Sequence, residues 1–174
     1  MTLPDLQRTV FARVGVQLLA FQSVEKMLRL CMQVVLPVEP IKKVEHLHAL
    51  EERERKKTLG YFMAALRSRV TVDTTFDAAL AIFLDDRNAF VHDIHQFTDW
   101  NPQTAEGCAA CQRLLDLLDR RTQIVLNAFS GLLRSWELQN GNPITLQEHE
   151  AEFARIEQEC VPLANLFFAP KSDA

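Results

Sequence analysis

Apolar residues recur at intervals of three and four over most of this 174-residue chain. That spacing places them on one face of an α-helix, whereas no stretch shows the alternation of a half-buried strand. Breaks at proline, glycine and short polar segments divide the pattern into four long helices and a shorter last one, at about residues 5–36, 41–70, 75–96, 105–137 and 145–160. The sequence therefore predicts an all-α fold, a helical bundle of four to five main helices with a short C-terminal helical appendage.

The length of the chain fits one domain with a sizeable core. We expect a single helical domain over residues 1–174, with its core at about 5–137 and the C-terminal helix and tail at about 145–174. Thr145 and Glu148 have the spacing of a capping box, which predicts that the last helix begins there.

Two of the apolar stripes each contain one charged position, Glu25 in the first helix and Arg87 in the third. The other members are Phe11, Val14, Leu18, Phe21, Leu28, Met32 and Val35 in the first helix and Phe76, Leu80, Phe83, Phe90, Ile94 and Phe97 in the third. A charge on a buried seam needs a partner, because burying it alone is costly. We therefore predict that Glu25 and Arg87 form an ion pair between the two helices.

The segment around Arg87 also carries side chains suited to phosphate chemistry. Asn88 follows directly, and His92 lies four residues beyond Asn88. Arginine is a permanent cation with a forked set of donors for phosphate oxygens, and histidine can give or take a proton near neutral pH. Asn88 and His92 are neighbours on a helix surface, so the amide can orient the imidazole.

The Arg87-Asn88-x-x-x-His92 motif, late in a helix of an all-helical bundle, resembles the signature of the HEPN superfamily. In that superfamily an arginine, usually followed by Asn, His or Asp, is separated from a histidine by four to six residues. The resemblance covers the fold plan from about residue 5 to residue 137, and the chain from about residue 145 onward lies outside it.

The resemblance implies a metal-independent endoribonuclease of the toxin or phage-defence type, acting as a homodimer on RNA, in some cases with an antitoxin partner. His92 would be the acid or base at the ribose 2′-hydroxyl, and Arg87 would stabilise charge on the phosphorane. Glu25 would hold Arg87 in place. Helical geometry favours a dimer independently, because residues five apart point about 140° from each other around the axis.

Two other interpretations stay open. Arg87 and Glu25 can form a purely structural buried ion pair. The chain can also be a catalytically silent helical dimer that binds a partner protein or a phosphorylated ligand through the same cleft. The formal net charge of −4 favours this second interpretation slightly, because the surface as a whole does not attract nucleic acid. RNA contacts would then depend on a local basic supply, which is densest at Arg53, Arg55, Lys56, Lys57, Arg67 and Arg69.

The remaining signals favour ordinary structural roles. His95, three residues after His92, is a supporting residue of the candidate site, with one of the two histidines expected to be active or capping and the other solvated. The two could share a metal only with a third ligand, which is not apparent nearby. We therefore expect no metal and no other cofactor. His46 and His48 are expected at the surface or partly buried. The Cys108-x-x-Cys111 pair has no second pair for zinc, so core thiols are the better interpretation.

The sequence also indicates a location. No secretory signal and no apolar run long enough to span a bilayer are visible, and four cysteines fit a reducing compartment. We therefore expect a cytoplasmic protein without membrane contact.

Overall fold

The computed structural model describes residues 2–37, 57–141 and 149–171. Helices dominate these ranges, and the predicted all-α helical bundle is confirmed. In chain order the elements are α1 (Leu3–Leu30), a π-helical turn (Cys31–Val35), α2 (Leu59–Arg69), β1 (Val70–Val72), α3 (Thr74–His92), a 3₁₀ turn (Ile94–Gln96), α4 (Ala105–Gln139), α5 (Glu150–Arg155), a second π-helical turn (Ile156–Cys160), α6 (Val161–Phe167) and β2 (Phe168–Pro170).

Each of the four main helices begins at a side chain that satisfies free backbone donors. The Asp5 carboxylate accepts from the backbone N–H and the hydroxyl of Thr2 at the start of α1. Thr58 accepts a hydrogen bond at the start of α2, Asp73 accepts two at the start of α3, and Thr104 accepts one at the start of α4. These caps explain why the helices start where they do.

Strands β1 and β2 form a two-stranded antiparallel sheet, in which Val70 pairs with Pro170 and Val72 with Phe168. The sequence predicted no strand, and that prediction is wrong here. Three residues are too few to show an alternating pattern, so the strand depends on a partner almost a hundred residues away in the sequence. The sheet ties the end of α2 to the end of α6.

Two helix ends also differ from the prediction. The third helix stops at His92 instead of continuing to residue 96, because Asp93 adopts φ −158° and its carboxylate accepts from the backbone N–H of His95. The last helix was expected to end before Pro162. Instead Pro162 occupies the first turn of α6, where a missing N–H costs nothing, and helical structure continues to Phe167.

Several predictions lie outside the described residues. They concern the second helix before residue 57, the capping box at residues 145 and 148, the two histidines at 46 and 48, and the basic residues 53, 55 and 56. Within the described ranges, no helix combines the length and the apolarity needed to cross a membrane.

The core lies between α1, α3 and α4. The Phe21 ring of α1 meets Phe83 and Phe90 of α3 edge to face, with ring centroids 5.6 Å apart in both pairs. Further along α3, Phe76 packs against Phe129 of α4. The apolar face of α3 thus packs against both α1 and α4.

The apolar stripe predicted for α1 faces the core except at Phe11. Phe11 is 55% exposed, whereas Val10 and Gln17, which lie outside the predicted stripe, are buried. Gln17 is buried without loss of hydrogen bonding because its amide donates to the Thr122 hydroxyl of α4 at 2.9 Å. A polar residue with a buried partner cannot be recognised from hydrophobicity alone, so Gln17 is missing from the predicted stripe.

The C-terminal elements pack against α4. Arg134 of α4 is almost fully buried and binds Glu137 on its own helix and Glu157 at 2.5 Å. Ala164 and Phe168 join the buried core, with Phe168 edge to face against Phe76. The segment after residue 149 therefore contributes to the same core as the main helices.

Candidate functional site

The predicted ion pair between the first and third helices is confirmed. Arg87 Nε donates to Glu25 Oε1 at 2.7 Å. The side chains are 22% and 25% exposed, so the pair is partly buried and its outer edge reaches solvent.

Aromatic packing positions this pair. Arg87 lies on the face of α3 that also carries Phe83 and Phe90, four residues before and three after it. Both rings contact Phe21, which lies one helical turn before Glu25 on α1. Because these contacts fix α1 against α3, the guanidinium and the carboxylate are held close together. Little further conformational entropy is lost when the ion pair forms.

The Arg87 guanidinium keeps donors for another ligand. Besides the bond to Glu25, its Nη1 donates to the side-chain oxygen of Asn88 at 3.1 Å. A guanidinium has five N–H donors, and Nη2 has no acceptor within the described residues. The site can therefore present an oriented cationic edge to an anion.

Asn88 and His92 are both exposed. The Asn88 oxygen accepts from Arg87, and among the described residues no hydrogen bond joins the Asn88 and His92 side chains. His92 is the last residue of α3, and its imidazole has no hydrogen-bond partner in the part of the chain described. It is thus accessible for proton transfer to a bound ligand.

His95 lies on the 3₁₀ turn beyond Asp93 and is exposed. The predicted third helix to residue 96 would have carried both histidines, but α3 ends at His92 and His95 lies beyond it. Across the described ranges, no group of three or more His, Cys, Asp or Glu side chains is arranged to hold a metal ion.

A second ion pair secures the same turn of α3. Asp86, next to Arg87, accepts from Arg121 of α4 at 2.8 Å, and its side chain is mostly buried. Sequence reasoning missed this pair, because both residues lie on helix flanks where charges are common. Together the two pairs fasten one turn of α3 to α1 on one side and to α4 on the other.

The basic residues proposed to contact RNA form hydrogen bonds or ion pairs within the protein, where the structure describes them. Arg67 binds Asp77 at 2.6 Å, and Arg69 donates to the backbone carbonyls of Met32 and Leu36. Lys57 donates to the Tyr61 hydroxyl at 2.7 Å. Neither arginine therefore offers its whole guanidinium to a polyanion.

The cysteines are core thiols, as predicted. All four are unpaired and buried. The thiols of Cys108 and Cys111 donate to backbone carbonyls in the loop before α4, and burial raises the pKa of Cys31 to about 12. A protonated, buried thiol is neither a metal ligand nor a nucleophile.

Comparison of the chain with protein-family models, with curated proteins and with solved structures gave no match.

Proposed function

We propose that this protein is a metal-independent endoribonuclease in which Arg87 and His92 act on a phosphodiester of single-stranded RNA. The observation that carries the proposal is the state of Arg87. Glu25 fixes its guanidinium while Nη2 stays available, and the exposed His92 lies just over one helical turn further along α3. An oriented cation and an accessible acid–base group are the minimum that RNA transesterification requires.

The reaction needs no group beyond these side chains and the substrate. His92 in its neutral form removes the proton from the ribose 2′-hydroxyl, and the 2′-oxygen forms a bond to phosphorus. The bond from phosphorus to the 5′-oxygen breaks, and that oxygen takes a proton from an imidazolium. Arg87 stabilises the negative charge that builds on the phosphoryl oxygens. The products are a 2′,3′-cyclic phosphate and a free 5′-hydroxyl.

A homodimer completes the proposed site. Arg87 and His92 point about 140° apart around α3, so one copy cannot direct both at one phosphate. Two copies related by a twofold axis can place both pairs around a single cleft, with one imidazole as base and the other as acid.

The biological class follows from the resemblance of the Arg87-Asn88-x-x-x-His92 motif to the HEPN signature. We propose a cytoplasmic toxin or phage-defence protein, whose activity is restrained by an antitoxin or another protein partner.

The test is product analysis. The purified protein is incubated with labelled single-stranded RNA in the presence of a chelator. We expect fragments that end in a 2′,3′-cyclic phosphate, and no cleavage of the same RNA carrying 2′-O-methyl groups or of the matching DNA, which lack the nucleophile. Cleavage that requires a divalent ion, or that cuts DNA equally well, contradicts the proposal.

One observation favours a second function, that of a catalytically silent module binding a partner or a phosphorylated ligand. Glu25 neutralises most of the Arg87 charge, and Asn88 occupies a further donor. Absence of cleavage together with RNA or phosphate binding that weakens in Arg87→Gln supports this second function. Absence of both cleavage and binding contradicts the ribonuclease and the binding of a phosphorylated ligand.

A further inference from the structure

The outward side of α1 carries large apolar side chains that the monomer leaves in water. Phe11, Val16 and Leu19 are 55%, 65% and 64% exposed. Ala12 and Gly15 lie between them on the same side and are exposed as well. These five residues are named the α1 outer face. Single exposed apolar residues are common, but a contiguous group on one helix marks a contact surface.

Gly15 lacks a role within the monomer. Gly107 and Gly131 are explained by the fold, because a Cβ on either would overlap a backbone carbonyl, of Asn101 and of Cys160 respectively. A Cβ on Gly15 meets nothing within 4 Å. Glycine in the middle of a helix destabilises the helix relative to alanine. The open space outside Gly15 would let another protein chain approach the helix closely.

We propose that the α1 outer face binds the same face of a second copy of this chain, with the two α1 helices antiparallel. When Val16 faces Gly15 of the other copy, Leu19 faces Ala12. Both large side chains then meet a small one, as interlocking helices require. The proposal rests on the dimer of the proposed function and specifies its surface.

Charge agrees with this register. The pairing that sets Val16 against Gly15 also sets the exposed Lys26 against Asp5 of the other copy, at both ends of the contact. The Asp5 carboxylate also accepts from Thr2 and lies 3.9 Å from Arg8, so it is shared between these partners and Lys26. A parallel arrangement would instead set Lys26 against Lys26. Opposite charges at the ends of an apolar centre favour the antiparallel pair and oppose its alternative.

The pairing also fits the candidate site. Arg87 of α3 contacts Glu25, and the chain after His92 reaches α1 again where Pro102 accepts from Gln7 at 2.9 Å. The chain from Arg87 to Pro102 therefore runs towards the N-terminal end of α1. A twofold antiparallel pair carries the same flank of both α1 helices on one side. The two α3 helices then lie on the same side of the α1 pair.

Leu19→Lys tests the surface against Leu166→Lys, a matched change of an equally exposed leucine on α6. Light scattering at micromolar concentration should give a dimer for the wild type and for Leu166→Lys. For Leu19→Lys it should give a monomer with unchanged helix content, because the dissociation constant rises at least about tenfold. A Leu19→Lys protein that stays dimeric overturns the proposal.

Cross-linking gives a second measurement. All four native cysteines are buried, so a cysteine added at an exposed position is the reactive one. Mild oxidation should link Val16→Cys into a covalent dimer and leave Ile124→Cys, exposed on α4, as a monomer. A wild-type dimer without this cross-link overturns the α1 surface while the dimer itself stands. A monomeric wild type overturns both. Neither assay measures RNA cleavage, so a dimer that fails to cut RNA separates failure of the enzyme from failure of the surface.

Discussion

At the scale of single residues, the Glu25–Arg87 pair decides how α3 presents its polar edge. A fully buried pair would be severely destabilised by loss of one partner, whereas a surface pair contributes almost nothing. With about a quarter of each side chain exposed, this pair falls between those limits. Its main consequence is geometric, because it removes the rotamer freedom that a long arginine side chain has in water.

We expect Glu25→Ala to lower the free energy of unfolding by about 1–2 kcal/mol, because Arg87 loses a charged hydrogen-bond acceptor while water partly replaces it. Urea denaturation of the purified protein measures this. Asp116→Ala, which breaks the more exposed pair with Arg13, is the control and should cost less than about 0.5 kcal/mol. Equal losses of unfolding free energy in the two variants would show that the Glu25–Arg87 pair stabilises the protein no more than an exposed ion pair does.

Cys31 gives the stability a dependence on alkaline pH. Burial raises its pKa from 9.0 to about 12 in the folded protein. Between those values the unfolded chain releases the thiol proton and the folded protein keeps it, so stability falls as the pH rises. The contribution at pH 10 is a loss of about 1.4 kcal/mol relative to neutral pH.

Comparison of urea unfolding at pH 7.5 and pH 10 checks this value. The decline in stability should be smaller in Cys31→Ala by about that amount, whatever the absolute cost of the cavity. Identical declines in the wild type and the variant would mean that Cys31 is open to solvent.

Residue contacts could be predicted from the sequence only where a single charge stood out. Glu25 and Arg87 were each the one charge on an apolar stripe, and burial demands that such charges meet. Asp86 and Arg121 sit on flanks where charges are usual, so nothing distinguished them. Phe11 was misplaced because a polar residue, Gln17, occupies the inner face through its bond to Thr122.

At the scale of elements, the C-terminal helices depend on one close backbone approach. The carbonyl of Cys160, at the end of the second π-helical turn, lies against Gly131 of α4, where a Cβ would overlap it. Arg134, one turn further along α4, holds Glu157 of the same turn, and its guanidinium lies over the Phe153 ring at 4.8 Å. Glycine is thus required at position 131 to seat the C-terminal segment.

We expect Gly131→Ala to destabilise the protein by about 1–3 kcal/mol, because the added methyl group forces the Cys160 backbone away from α4. Gly60→Ala is the matched control. A Cβ there meets only the Thr58 hydroxyl at 3.9 Å, so its stability should be unchanged or slightly higher.

Thermal unfolding followed by circular dichroism measures both glycine variants, and limited proteolysis of Gly131→Ala should cut first near residues 150–167. A Gly131→Ala protein as stable as Gly60→Ala would show that the C-terminal segment does not press on α4.

Element types followed from the sequence better than element ends. The long periodic stretches predicted α1, α3 and α4, because burial of an amphipathic face stabilises a helix whatever its neighbours are. The ends depended on particular side chains: the Asp93 carboxylate ends α3, and Pro162 fits the first turn of α6. The β1–β2 pair required contact between distant segments, which local patterns cannot contain.

At the scale of the whole molecule, α1 takes part in the core, in the ion pair with α3 and in the proposed dimer surface. Its inner face carries Phe21 into the core, its flank carries Glu25 to Arg87, and its outer face remains apolar and exposed. The sequence could indicate the motif and the bundle, but the proposed dimer site depends on how two surfaces meet, which helical periodicity does not describe.

Comparison of the His92→Ala and His95→Ala variants is the most direct test of whether His92 transfers protons during RNA cleavage. Both residues are exposed and three positions apart, but only His92 belongs to the proposed site. In the presence of a chelator, His92→Ala should cut single-stranded RNA about 10²–10⁴-fold more slowly than wild type, and His95→Ala should stay within a few-fold of it. Circular dichroism must show both variants folded. A folded His92→Ala protein that cleaves RNA at the wild-type rate would contradict the account.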